Sequence, residues 1–171
     1  MKRIVLFSIL ALIVSAFTFS AQAKKKEKYE FRYEIAPVGV GTQGSALIKV
    51  FSYAKKEKDA LELAKPNAVH GVLFKGVAAL SNQYARVPAQ KAMVTDVNAE
   101  TTYADYFKDF FKDGGKYAKY VNFVNNGVPA PGDIIKVGKE YKIGVRVSVA
   151  KDALRKEMEA AGIVKALSSG F

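Results

Sequence analysis

From Tyr29 to Ile35 the chain reads YEFRYEI. Tyr29, Phe31, Tyr33 and Ile35 alternate with Glu30, Arg32 and Glu34. A two-residue period with one polar side predicts a half-buried strand. Pro37 and the glycines Gly39, Gly41 and Gly44 end it. Ser45 to Tyr53, SALIKVFSY, is nearly continuous in apolarity and rich in β-branched and aromatic residues, which predicts a second strand. In the following AKKEKDALELAKPNAVHGVLFKG, Ala60, Leu61, Ala64, Ala68, Val69 and Val72 recur at steps of three and four. That is the stripe of an amphipathic helix. Pro66 is expected to kink or split it, because proline lacks an N–H and its ring collides with the preceding turn. Gly76 is its expected stop. Leu80 to Val97 has no firm period and reads as loop with a short helix.

Thr101 to Lys112, TTYADYFKDFFK, predicts a second helix capped by Thr101 or Thr102. Asp105 and Lys108, and Asp109 and Lys112, sit three apart on its wet side, opposite Tyr106, Phe107, Phe110 and Phe111. Asp113-Gly114-Gly115 stops it. Lys116 to Val124 reads as a strand, and Asn125 to Gly132 as a turn-rich loop. Ile134 to Val137 is apolar again. Tyr141, Ile143, Val145, Val147 and Val149 then alternate with polar residues and glycine, the cleanest strand pattern in the chain. Asp152 is the expected cap of a last helix bearing Leu154, Met158 and Ala161 and ended by Gly162. Strands in groups separated by helices predict an α+β fold: a mainly antiparallel sheet of four to five strands packed with two to three helices.

The N-terminus changes the picture. Met1-Lys2-Arg3 precedes an apolar run from Ile4 to Phe19, and Ala21-Gln22-Ala23 supplies small residues at a cut. This is the pattern of a secretory signal peptide over residues 1–23, cleaved after Ala23. Residues 24–28, Lys-Lys-Lys-Glu-Lys, read as a basic tail, and residues 29–171 as a single globular α+β domain. The expected product is exported, periplasmic or extracellular, with no membrane span after cleavage. It has no cysteine, so no disulfide framework, thiol chemistry or lipid attachment at cysteine is open to it. The full chain carries a formal net charge of +11. The leader removes only Lys2 and Arg3 from that balance, and four arginines remain beyond it: Arg32, Arg86, Arg146 and Arg155. Bidentate reading of phosphate or guanine favours arginine. A lysine-rich surface fits weak binding to anionic surfaces and no specific nucleic acid.

Candidate chemistry is sparse. Gly39-Val-Gly41-Thr-Gln-Gly44 has the G-x-G-x-x-G spacing of a dinucleotide turn. That turn works by opening into a helix whose N-terminus receives the pyrophosphate. Here a strand pattern follows. Asp59, about 20 residues beyond Gly39, falls in the charged opening of a helix. A structural turn is the expectation. His70 is the only histidine, with no neighbouring ligand cluster, and reads as a helix-face residue with one hydrogen bond. Asp105, Asp109 and Asp113 are spaced by four but interleaved with Lys108 and Lys112, which reads as a charged face. Ser45, Ser52 and Ser81 sit in no G-x-S-x-G elbow. Tyr103, Tyr106, Phe107, Phe110, Phe111 and Tyr117 read as core, not as a glycan platform. No catalytic, cofactor-binding or metal residue is assigned, and no cofactor is expected.

Three stretches, GVGTQGSALIKVFSYAKK, DALELAKPNAVHGVLFKG and FFKDGGKYAKYV, together resemble uncharacterised exported proteins of Gram-negative gut and oral bacteria. The strand–helix–strand order is more distantly similar to periplasmic domains of surface-assembly lipoproteins, whose lipobox cysteine this chain lacks. The resemblance implies an envelope location and a part in assembly. The expected function is that of a non-enzymatic binding or assembly accessory, its partner a protein or envelope component. The alternative is an exported hydrolase of glycan or peptide with a dispersed active site.

Overall fold

A computed structural model of the chain describes residues 30–39, 41–83 and 86–166. The leader, the basic tail and Tyr29 lie outside the described residues. The fold is α+β, as the patterns predict. Strands β1 (Tyr33–Pro37), β2 (Ala46–Ala54), β5 (Val121–Phe123), β6 (Ile134–Val137) and β7 (Glu140–Val149) make one antiparallel sheet. The order is β1-β2-β7-β5, and β6 also pairs with β7. Strands β3 (Leu80–Ser81) and β4 (Arg86–Val87) form a separate small pair. The helices are α1 (Glu57–His70), α2 (Ala99–Thr102), α3 (Ala104–Phe111) and α4 (Lys151–Ala160).

The core sits on one face of the sheet. Ala46, Ile48, Val50 and Ser52 of β2 lie opposite Val149, Val147, Val145 and Ile143 of β7, and all eight are buried. Helix α1 packs against both strands through Ala60, Ala64, Ala68 and Val69. These small side chains bring the helix axis close to the sheet. Phe107, Phe110 and Phe111 of α3 and Leu154 and Met158 of α4 join the same core. The aromatic group predicted as core is therefore core, with Tyr103, Tyr106 and Tyr117 packed at its margin.

Five local expectations are corrected. Pro66 does not split α1, which is a single helix across it. The missing N–H would have bonded the carbonyl of Glu62, an exposed residue whose carbonyl water can serve. The helix then widens into a π turn, Gly71–Lys75, before Gly76 stops it as predicted. Leu80 to Val97 holds the β3–β4 pair where loop was expected, and the short helix begins just beyond it at Ala99. The helix predicted at Thr101 is two, because Ala99 is buried and anchors its own turn behind Asp96 and Asn98. Tyr103 interrupts the two at φ −110°, ψ 33°, and no threonine caps α3. Lys116 to Tyr120 is a 3₁₀ turn, and only Val121 to Phe123 reaches β7 as strand. Finally, Ala150 and not Asp152 holds the N-cap position of α4; Asp152 lies in the first turn, its N–H bonded to the Gly44 carbonyl at 3.0 Å.

One polar pair crosses the core. Asn67 of α1 donates through Nδ2 to Ser52 Oγ of β2 at 2.9 Å, and both residues are buried. Removing one partner of a buried hydrogen bond leaves the other desolvated. S52A should therefore cost about 1–3 kcal/mol in chemical denaturation. Combining it with N67A should cost less than the sum of the two single changes, and strict additivity would show that the pair does not act as a unit.

Candidate functional site

The glycine segment connects β1 to β2 as a turn, with β2 directly after it. Within it, the Ser45 N–H and Oγ both reach the Thr42 carbonyl, at 2.9 and 2.7 Å. Gly44 adopts φ +77°, and a Cβ there would fall 2.7 Å from Asp152 Oδ2. The Asp152 carboxylate therefore lies against the turn at Gly44.

His70 ends α1 and is buried against the core. The Phe31 ring stacks on it at 3.7 Å between centroids, and Phe74 tilts against it at 4.8 Å. Nδ1 lies 2.6 Å from the Tyr33 hydroxyl and Nε2 lies 2.9 Å from Glu100 Oε1. Two partners replace the one expected. An ionised carboxylate can only accept, so Nε2 carries the proton and Nδ1 accepts from the Tyr33 O–H. Burial holds the imidazole below its ordinary pKa, outweighing the upward pull of the Glu100 hydrogen bond. Burial likewise drives the Tyr33 hydroxyl well above its usual range, with Glu100 adding to it.

Hydroxyl, imidazole and carboxylate stand in the order of a catalytic triad, but the hydroxyl lacks what that order needs. Tyr33 is 6% exposed, and burial raises the pKa of its hydroxyl. The adjacent hollow, about 500 Å³, is lined by Phe74, Val94, Asp96, Val97 and Glu100 among others, and reaches neither Tyr33 nor His70. The arrangement ties β1, α1 and α2 together.

A second open hollow, about 620 Å³, lies beside α3 and is lined by Asp105, Tyr106, Asp109, Phe110, Lys112, Lys116 and Lys119, with Gly114 and Gly115. Asp113 is not in it, so the three aspartates do not converge, and Asp109 pairs with Lys112 at 3.3 Å. No group of three or more potential metal-ligating side chains occurs among the described residues. Of the serines, Ser45 serves the turn and Ser52 the core pair. Glu157 of α4 was invisible to sequence reading. Its Oε1 accepts from Lys116 Nζ at 2.7 Å and Tyr106 OH at 3.0 Å, and its Oε2 from Tyr120 OH at 3.0 Å. Lys116 first, then the two phenols, hold this carboxylate below its usual range. Burial and Glu157 push Tyr120 up to about 12. No spacing could have announced a site assembled from three separate elements.

The sheet face opposite the helices is roofed by its own side chains. Lys49 pairs with Asp133 at 2.7 Å, Lys142 with Glu34 at 2.7 Å and Arg32 with Glu140 at 2.6 Å. Tyr53 donates to Glu34, and Phe51 lies across Gly144, where a Cβ would fall 2.5 Å from its ring. Strand β6 is different. Ile134, Ile135 and Val137 are 48%, 44% and 46% exposed, and Val128 in the preceding loop is 69% exposed. No described strand pairs with the far side of β6. No described helix is long and apolar enough to cross a membrane. Compared with known protein families, curated proteins and solved structures, the chain matches none.

Two outcomes follow from this geometry. G44A should destabilise the fold by about 1 kcal/mol or more, because alanine tolerates a positive φ poorly; calorimetric titration with NAD or ATP should show no binding, and micromolar affinity lost in the variant would restore the nucleotide reading. For His70, the folded imidazole binds its proton less readily than the unfolded one. Its contribution to stability should be complete above about pH 6.5 and decline as pH falls below that value. H70Q should flatten this part of a stability-versus-pH curve, and an unchanged slope between wild type and variant would remove His70 as its cause.

Proposed function

We propose that the chain is an exported protein of the cell envelope that acts by binding, as an accessory to an assembly. The observation that carries this reading is the β6 edge: three apolar residues of a four-residue strand stand open, Ile135 and Val137 on the sheet face that is otherwise closed by ion pairs and Ile134 on the other. Exposed apolar strand edges are places where other chains attach. The A-x-A leader and the resemblance to exported envelope proteins support the location. Cations with no acidic partner among the described residues, such as Lys91, Lys108, Lys136, Lys139 and Lys156, are spread over separate elements. They suit diffuse attraction to anionic surfaces more than a dedicated polyanion site.

The hydrolase alternative draws on the Tyr33–His70–Glu100 chain. Turnover of a glycan or peptide abolished by H70A, with the fold intact, would favour it over the binding reading.

The binding reading is tested by co-sedimentation with envelope fractions across a salt series. Diffuse attraction should fade as added salt shortens the screening length below about 8 Å. A salt-resistant component should remain and should be lost in I135T/V137T, which keeps strand propensity while removing apolar surface. If all binding vanishes at moderate salt, the chain adheres only electrostatically. If the double variant binds as the wild type does, β6 is not the contact.

A further inference from the structure

Resting on that reading, we infer that the free edge of β6 takes up an extended acidic segment of a partner protein as an added strand. The backbone supplies the sockets. In an antiparallel ladder, opposite residues alternate between pairs that exchange both hydrogen bonds and pairs that exchange none. The Gly144 N–H donates to the Asp133 carbonyl at 2.8 Å, which sets the phase. The register Ile135↔Lys142 and Val137↔Glu140 continues it, so these two β6 residues spend their backbone groups on β7. The N–H and C=O of Ile134 and Lys136 therefore point away from the sheet. Four main-chain groups, two donors and two acceptors, face outward along an edge that no described strand covers.

The side chains choose the occupant. Asp133 is taken by Lys49 and Glu140 by Arg32. Lys136 within β6 and Lys139 in the β6–β7 turn have no acidic partner among the described residues. The edge is thus apolar and locally positive. A lysine on an edge strand discourages pairing with another copy, because like charges are brought together. An acidic strand meets no such repulsion, and on this edge main-chain bonds supply affinity while alternate side chains supply selection. In register, it would set an acid opposite Lys136, on the side of the sheet that Lys136 shares with Ile134 and buried Ile143. Apolar residues would meet Ile135 and Val137 on the other side. A second acid would reach Lys139 beyond the strand end.

The probe is a synthetic peptide of alternating valine and glutamate, titrated into the full-length mature chain. Controls are the valine–lysine peptide and the valine–glutamate peptide with N-methyl groups on alternate amides. Backbone amide exchange is read residue by residue. In the free protein the Ile135 and Val137 amides should exchange slowly and those of Ile134 and Lys136 quickly. The glutamate peptide should slow the latter two, the N-methylated form should not, and the lysine form should not bind. K136E should weaken the glutamate peptide by about tenfold or more, because like charges then oppose; protected β7 amides will show that the variant is folded. Equal binding of glutamate and lysine peptides overturns the acidic selection. Unchanged exchange at Ile134 and Lys136 overturns strand addition. Slowing of the same two amides with rising protein concentration alone makes a second copy the occupant and also overturns it. If no peptide binds while I135T/V137T still abolishes salt-resistant envelope binding, this inference falls and the binding reading stands.

Discussion

Nine consecutive residues of β2 pair with nine of β7, from Ala46↔Val149 to Ala54↔Tyr141. A slip of one residue along either strand would turn Ile48 and Val50, or Val145 and Val147, from the core to the ion-paired face. The rest of the molecule is placed by that ladder. Helix α1 can lie close only because alanines face a sheet surface of valine and isoleucine. Strand β1 extends the ladder on one side, while β5 and β6 share the other side of β7 end to end.

Polar networks act as clips between elements. Tyr33, His70 and Glu100 join a strand, the end of a long helix and a one-turn helix. Glu157 gathers Tyr106, Lys116 and Tyr120 from α3 and the 3₁₀ turn onto α4. In both places donors and acceptors are spent on one another, while the neighbouring hollows touch the networks only at their margins, at Glu100 in one and at Tyr106 and Lys116 in the other. The open edge of β6 differs from both networks in that its apolar side chains have no covering element among the described residues.

Where one face is buried and the other wet, local order was legible in the residues. The alternation in β7 and the three- and four-residue steps in α1 placed both elements. The strand pattern after Gly44 correctly placed a strand, and not a helix, directly after the turn. Lys116 to Tyr120 misled because tyrosines and lysines alternate there as they would in a strand, while the 3₁₀ turn follows from how Tyr117 and Tyr120 pack at the core margin. The first turn of α4 misled for another reason: Asp152 has the chemistry of a cap, but its N–H is taken by Gly44, a contact across more than a hundred residues.

The sequence by itself determined the α+β class, the single glycine turn between two strands, and the absence of cysteine chemistry. Those follow from periodicity and composition, which are properties of neighbours along the chain. Only the tertiary structure decided that His70 has two partners, that Glu157 has three, and that Ile134, Ile135 and Val137 stay open. Each depends on which distant segment lies alongside. An apolar run of four residues reads the same whether a strand covers it or solvent does, and only the order of strands around β7 leaves this one uncovered.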